Sequence, residues 1–423
     1  MTELVRPRPM SQRLRDPVAE ADYTCARIDE TDGELAAFEA EDDRAGRLRK
    51  QAGALAAAGQ DSRSPLFGVT VGVKDVIHVD GLETRAGSRV PAPALAGPQA
   101  ALVDRLMTAG AVIAGKTTCA EFAISAPGPT RNPHDPRHTP GGSSSGSAAA
   151  VAAGQVALSI GTQTVSSTIR PAAYCGIVGF KPSFGRIPVD GTIANAPSLD
   201  TIGLLSADVA GSAAASEVLC DEWSTARPET LPVLGIPSDE YLSFAERPAL
   251  AKFAEHLNVL RAAGYRVVRG AAITSFAQFR AAMYTIQRYE SAVVHSDWFD
   301  RYGELYQEKS AQSVIQGREI DEEKYQLALT VKSAFHNQTH QTMESSGVDL
   351  WIGPSATGPA PRGLESTGNS VMSVPWSLIG MPSLSIPAPS NGLPLGFHCV
   401  ARFGDDERLL AWGAGIEARL RGE

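Results

Sequence analysis

Cysteine is scarce and unpatterned in this chain of 423 residues: Cys25, Cys119, Cys175, Cys220 and Cys399 are scattered with no CxxC spacing. That argues against a disulfide framework or a cysteine-based zinc site and predicts reduced packing thiols of a cytoplasmic protein. Long apolar runs are missing as well, so no segment reaches the length needed to span a membrane. The first sixteen residues are polar and arginine-rich, without the apolar stretch of a secretory signal. Basic residues do not outnumber acidic ones; the net charge of −9 at pH 7 speaks against nucleic acid or an anionic membrane as partner. What remains, 43% hydrophobic and 20% charged, is the composition of a globular protein, and the length suits one large α/β unit.

One stretch concentrates the information, Pro140 to Tyr174, PGGSSSGSAAAVAAGQVALSIGTQTVSSTIRPAAY. Gly141 and Gly142 break what precedes, and the hydroxyls of Ser143 to Ser145 are placed to cap a helix starting near Ser147. The following residues to Ala153 are nearly all alanine, which suits a helix pressed against another backbone. After the apolar run Val156 to Ile160, the turn Gly161-Thr162-Gln163-Thr164 delivers a second serine pair, Ser166 and Ser167, ahead of Ile169, Arg170 and Pro171.

This stretch resembles the signature of the amidase signature family: a Gly-Gly-Ser-Ser run, an alanine-rich helix, a Gly-Thr-Asp-Thr-Gly-Gly-Ser turn, and a Pro-Ala-x-x-Cys-Gly tail, here Pro171 to Gly176. The resemblance implies a Ser–Ser–Lys triad, with the serine that follows a cis peptide at Ser143, the nucleophile at Ser167, and the lysine at Lys74 in Gly72-Val73-Lys74-Asp75. It also implies an oxyanion site made of the backbone N–H groups of Thr164, Val165, Ser166 and Ser167, with Gly142 beside the substrate. Lysine serves as base only if burial keeps it neutral, and Lys74 lies in the alternating pattern Val69-x-Val71-x-Val73 of a strand. Two departures stand out. Val165-Ser166 replaces Gly-Gly before the nucleophile, so either the turn is reshaped or its conformation is not left-handed. Arg170 is displaced by one position, where it either pairs with a substrate carboxylate or binds carbonyls and internal acids.

Three motifs point elsewhere and fail on context. Gly110 to Thr117 fits the phosphate-loop pattern, but its middle residues Ala111 to Ala114 form an apolar strand. Gly142-Ser143-Ser144-Ser145-Gly146 fits the α/β-hydrolase elbow, but Pro133, Pro136 and Pro140 exclude the strand that must feed it. His336 and His340 have the spacing of a zincin helix but lack its glutamate, and read as solvated histidines.

Elsewhere, apolar positions at helical spacing (Ile28, Leu35, Phe38, Leu48, Leu55) predict one or two surface helices. Helices are also predicted over Leu250 to Ala263 and Glu322 to Phe335, and strands over Val233 to Ile236 and Tyr265 to Val268. Tyr284, Tyr289, Trp298 and Phe299 are candidates for a pocket wall or for core. Segments around Val348 to Ser355, Gly380 to Pro387 and Gly392 to Phe397, and Asp200, are similar to further family motifs. The expectation is a single α/β/α unit with a mixed sheet covered by helices on both sides. It comprises an N-terminal helical segment 1–62, a catalytic core 63–211, a variable helical region 212–345 and a C-terminal return 346–423. Gly-Thr-Gln-Thr, the position of Arg170 and Lys181 to Gly185 are similar to compact amidases of the malonamidase type. That implies hydrolysis of a small carboxylated amide through an acyl-enzyme, without metal or cofactor, by a homodimer. Carbamate, ester or urea-type substrates, and a catalytically weakened binding subunit, are the alternatives. A glutamine amidotransferase subunit fits less well, since nothing in the sequence announces a partner.

Overall fold

The computed structural model describes residues 5–58, 64–273, 275–388 and 390–422. The boundary expected at residues 62 and 63 lies outside them. Ten strands among the described residues form one sheet: β1 (Thr70–Lys74), β2 (Val112–Thr117), β3 (Leu158–Gln163), β4 (Val178–Lys181), β5 (Thr201–Ser206), β6 (Leu234–Ile236), β7 (Val267–Arg269), β8 (Leu350–Pro354), β9 (Ser383–Ala388) and β10 (Leu395–Val400). Their order is β2-β1-β3-β5-β4-β9-β10-β8-β6-β7, so the last two strands in sequence are inserted at its middle. Pairing is parallel at both ends (β1 with β2 and β3; β6 with β7 and β8) and antiparallel between. The fold is thus the expected mixed α/β arrangement.

Strand residues point alternately to opposite faces, and both faces are covered. On β5, Leu204 joins the main apolar core, whereas its neighbour Leu205 packs in a second cluster with the alanine-rich helix. The strands therefore read as continuous apolar runs rather than half-polar ones. The N-terminal periodicity gives two helices, Pro17–Leu35 and Arg44–Ala57; Phe38 lies outside both and bridges to Thr117. The helix expected to stop at Phe335 continues to Ser346, where Gly347 closes it in the left-handed conformation. No helix among the described residues is long and apolar enough to cross a membrane.

Candidate active site

Lys74 ends β1, a strand buried at every position and flanked by β2 and β3. The Lys74 side chain is fully buried, and its Nζ lies 2.7 Å from Ser143 Oγ and 2.6 Å from Thr162 Oγ1 on β3. Burial drives its pKa down from 10.5 to about 8, while Cys119 and Asp200 pull the other way. In both contacts the amine nitrogen donates and the hydroxyl oxygen accepts.

The Gly142–Ser143 peptide is cis. Ser143 is buried, its carbonyl accepting from Ala120 N–H at 3.0 Å. The adjoining helix runs Ser145–Ala152, and here the structure corrects the expected capping: no serine side chain caps it. Ser144 Oγ instead donates to the Thr162 carbonyl (3.1 Å), Ser145 to that of Thr118 (3.3 Å) and Ser147 to that of Ile160 (3.2 Å). The helix is packed too tightly among backbones for its hydroxyls to bend back, so they tie it to β3 and to the segment after β2. Ser144, the elbow candidate, is fully buried, with no strand before it.

Ser167 sits in the turn after β3. It lines a cavity of about 340 Å³ and is 7% exposed. Gln163, where the family pattern has aspartate, holds this turn: its Oε1 accepts from Thr168 and Ile169 N–H (2.9 and 3.0 Å), and its Nε2 donates to Ser377 Oγ (2.9 Å). Ser377 in turn donates to the Val165 carbonyl at 2.6 Å, and Ser166 Oγ pairs with Ser373 Oγ at 2.8 Å. Neither Val165 nor Ser166 has positive φ, so glycine is not required here and the β-branched valine fits. Among the described residues, the backbone N–H groups of Val165, Ser166 and Ser167 donate to no protein acceptor. Thr164 Oγ1 donates to Asp200 (2.5 Å), which also accepts from the N–H groups of Asn195 and Ala196 (2.8 and 2.9 Å). Burial lifts the Asp200 carboxyl to about 6 against the pull of these donors. The Ser144 N–H reaches the Ser167 carbonyl at 3.3 Å, joining the two serine clusters through the main chain.

Arg170 is buried and lines the same cavity. Its Nη2 donates to the Gly142 carbonyl (2.6 Å) and Thr367 Oγ1 (2.9 Å), and its Nη1 to the Gly368 carbonyl (3.0 Å), leaving Nε without a partner. Both forked modes of a guanidinium use Nη2, so bidentate capture of a carboxylate there would break one of these bonds. Lys116, from the phosphate-loop lookalike, lies inside β2, paired with Asp75 at 2.9 Å and donating to Thr84 at 2.7 Å. His336 and His340, expected in solvent, are half-buried and packed ring on ring 4.6 Å apart, with His336 bound to the Ile379 carbonyl. Among the described residues no three His, Cys, Asp or Glu side chains cluster as a metal site requires.

Of the four aromatic candidates, only Tyr284 lines the cavity. Tyr289 stacks on Tyr325, Trp298 on Phe122, and Phe299 packs edge-on to Tyr306. Sequence reasoning missed Asn195, Gln287, Arg288 and Lys309 on the wall, and Ala123, which with Phe122 takes a left-handed conformation (φ 57° and 51°). A phenylalanine so held is a strained position; the Phe122 ring is fixed between His295, Trp298 and Tyr306. No local signal marks that strain. Nor does any mark Arg288 and Lys309, which come to the wall from two separate helices, Phe276–Val294 and Glu308–Arg318.

The family model described as Amidase matches residues 21–410. A glutamyl-tRNA(Gln) amidotransferase subunit of Anaeromyxobacter dehalogenans (strain 2CP-C) is 33% identical over 93% of this chain and 91% of its own. The corresponding protein of Lysinibacillus sphaericus (strain C3-41) is 30% identical over 90% and 89%. A crystal structure of an amidase superposes with a TM-score of 0.87 at 30% identity, covering 95% of this chain and 96% of the other. A peptide amidase in complex with the competitive inhibitor chymostatin gives 0.81 at 26%, covering 97% and 96%.

Proposed function

This chain belongs to the amidase family and is a hydrolase of carbon–nitrogen bonds, and from that premise we propose that it cleaves a small carboxylated amide through an acyl-enzyme on Ser167. The observation that carries the reading is a fully buried lysine 2.7 Å from Ser143, in a site whose cavity wall presents Ser167. In the proposed sequence, Ser167 Oγ attacks the amide carbonyl as its proton passes by way of Ser143 to neutral Lys74. The free N–H groups of the 165–167 turn receive the oxyanion, with Thr164 N–H completing the expected set. Collapse returns the proton to the leaving nitrogen, and water, deprotonated along the same path, releases the acid and restores Ser167. Arg170, in this reading, holds the Gly142 carbonyl and thereby the backbone that presents Ser143.

Among the described residues no aspartate or glutamate lines the cavity, whereas Arg170, Arg288 and Lys309 do. An anionic substrate suits that wall. It also bears on a second reading, a glutamine-using amidotransferase component, which the names of the relatives favour: the α-ammonium of glutamine would find no carboxylate there. Carbamates and esters remain open to the same triad, and an inactive scaffold is the reading that needs no chemistry. The test is release of ammonia or amine, with intact-protein mass for the acyl adduct, across amides, carbamates and esters with and without a carboxylate, glutamine included. Turnover with an adduct on Ser167 supports the amidase reading; no turnover and no adduct with any compound would sink it.

The lysine sets the pH dependence. Only neutral Lys74 accepts a proton, and its pKa is about 8. The expected kcat/KM for an uncharged amide therefore falls about tenfold per pH unit below 8 and levels off above it. A profile flat from pH 6 to 9 would exclude Lys74 as the base.

A further inference from the structure

We propose that Arg288 is the residue that selects an anionic substrate, binding a carboxylate at the far end of the amide whose carbonyl lies at Ser167. This rests on the reading of the Ser167 cavity as the site of amide cleavage. Among the described residues three cations line that cavity and no acid does. Two of the three are otherwise engaged: Arg170 has Nη2 committed to Gly142 and Thr367, and Lys309, on the exposed side, donates to the Glu365 carbonyl. Arg288 is half-buried and, among the described residues, makes neither a hydrogen bond nor an ion pair through its side chain; its guanidinium lies 5.7 Å from the centroid of the Tyr284 ring one turn earlier. A half-buried guanidinium without an acceptor, in a cavity without an acid, is a site for an anion.

Its position is fixed relative to the reacting atoms. The helix Phe276–Val294 is held at that turn by Gln287, whose Nε2 donates to Asn195 Oδ1 at 2.9 Å, and by Glu290, which accepts from Ser198 N–H at 2.9 Å. Asn195 also donates to Thr164 Oγ1 (3.3 Å), at the start of the oxyanion turn. Tyr284, beneath the guanidinium, is held by its hydroxyl to Ser370 Oγ at 2.9 Å. The root of Arg288 is thus tied to the turn that carries Ser167 through two side-chain bonds in series, Gln287 to Asn195 and Asn195 to Thr164, the kind of rigid support a specificity residue needs. Arg288 also lines a neighbouring groove of about 760 Å³ that shares Tyr284 and Gln316 with the cavity and whose own wall mixes Glu240 and Glu319 with Arg280 and Lys324. A carboxylate at Arg288 therefore sits where the two spaces meet, which admits monoamides of dicarboxylic acids of more than one length.

The experiment compares wild type, Arg288→Gln and Arg288→Lys on length-matched pairs of ω-carboxyl amides and uncharged amides. For Arg288→Gln the ratio of kcat/KM, carboxylated over uncharged, is expected to fall about 30-fold or more, mostly through KM, with Arg288→Lys recovering part of it. An unchanged ratio overturns the proposal. A second arm does not need turnover: calorimetric titration of Ser167→Ala, with and without Arg288→Gln, using the free dicarboxylates and the uncharged diamides. Dicarboxylates are expected to bind more tightly than diamides, and Arg288→Gln to weaken them about tenfold or more. Equal binding of the two series, or binding indifferent to Arg288, overturns the proposal. If dicarboxylates bind through Arg288 but no amide is turned over by the wild type, the anion site stands and the amidase reading at Ser167 is what fails.

Discussion

Ser167→Ala is expected to lower amide turnover by on the order of 10⁴-fold or more, Lys74→Met to do nearly as much, and the double variant to be no worse than the poorer single one, because groups acting as one proton-transfer unit are not additive. Ser167 sits at the cavity wall, so its truncation leaves the core intact. Lys74→Met removes a buried cation, and two effects of similar size decide what happens to the fold. The difference between a pKa of 10.5 and one of about 8 corresponds to roughly 3 kcal/mol of burial cost at neutral pH, which methionine does not bear. Against it, Ser143 and Thr162 lose a partner each, at about 1 to 3 kcal/mol apiece. The two offset, and the variant is expected to fold within about 2 kcal/mol of wild type by urea unfolding. The sign of the pH effect separates them further. Between pH 8 and 10.5 the unfolded chain holds a proton on Lys74 that the folded chain has released, so wild-type stability rises with pH through that window. Lys74→Met should lack this part of the slope. A folded Lys74→Met protein that keeps more than about a tenth of wild-type turnover would remove the lysine from the mechanism.

The parts of the fold and site that are legible in the sequence are those whose cause is local. Alternating valines before Lys74 mark a strand, and the serine clusters either side of an alanine-rich segment mark a helix followed by a strand. What is not legible depends on pairings across long sequence distance. Nothing near Ser383 or Leu395 says that β9 and β10 enter the middle of the sheet beside β4. The three serines at the head of the alanine-rich helix carry a capping pattern, and only the proximity of β3 and Thr118 shows that their hydroxyls go outward instead. Gln163 reads in sequence as a departure from the catalytic pattern; its two helix N–H partners and its bond to Ser377 make it the brace of the turn. Arg170 is the visible candidate for an anion because it lies next to the serines in sequence. Arg288 lies over a hundred residues away, and only the fold brings it to the cavity.

The second large effect concerns the alanine-rich helix. Gly146→Ala is expected to destabilise the protein by at least about 2 to 4 kcal/mol, a large fraction of the roughly 5 to 15 kcal/mol that holds a domain together. Propensity alone argues the other way, since alanine is favoured over glycine inside a helix by about 1 kcal/mol. Packing decides the sign. All eight residues of the helix Ser145–Ala152 are buried, and a Cβ on Gly146 would overlap the Ala37 carbonyl oxygen and lie 2.6 and 2.7 Å from Thr118 N and O. These are main-chain atoms, already joined by the Thr118 N–H to Ala37 carbonyl bond at 2.9 Å, and they have no rotamer to give. Gly53→Ala, in the helix Arg44–Ala57, is the control, because nothing lies within 4 Å of the added carbon; it should hold or raise the melting temperature. The clash also reaches the site. Thr118 is two residues from Ala120, whose N–H holds the Ser143 carbonyl at 3.0 Å, so any Gly146→Ala protein that still folds has a displaced Ser143 and is expected to lose at least about tenfold in kcat. Thermal melts and turnover of the two variants side by side check both claims; a Gly146→Ala protein that melts with wild type and turns over normally would show that the close backbone approach at this helix is not required.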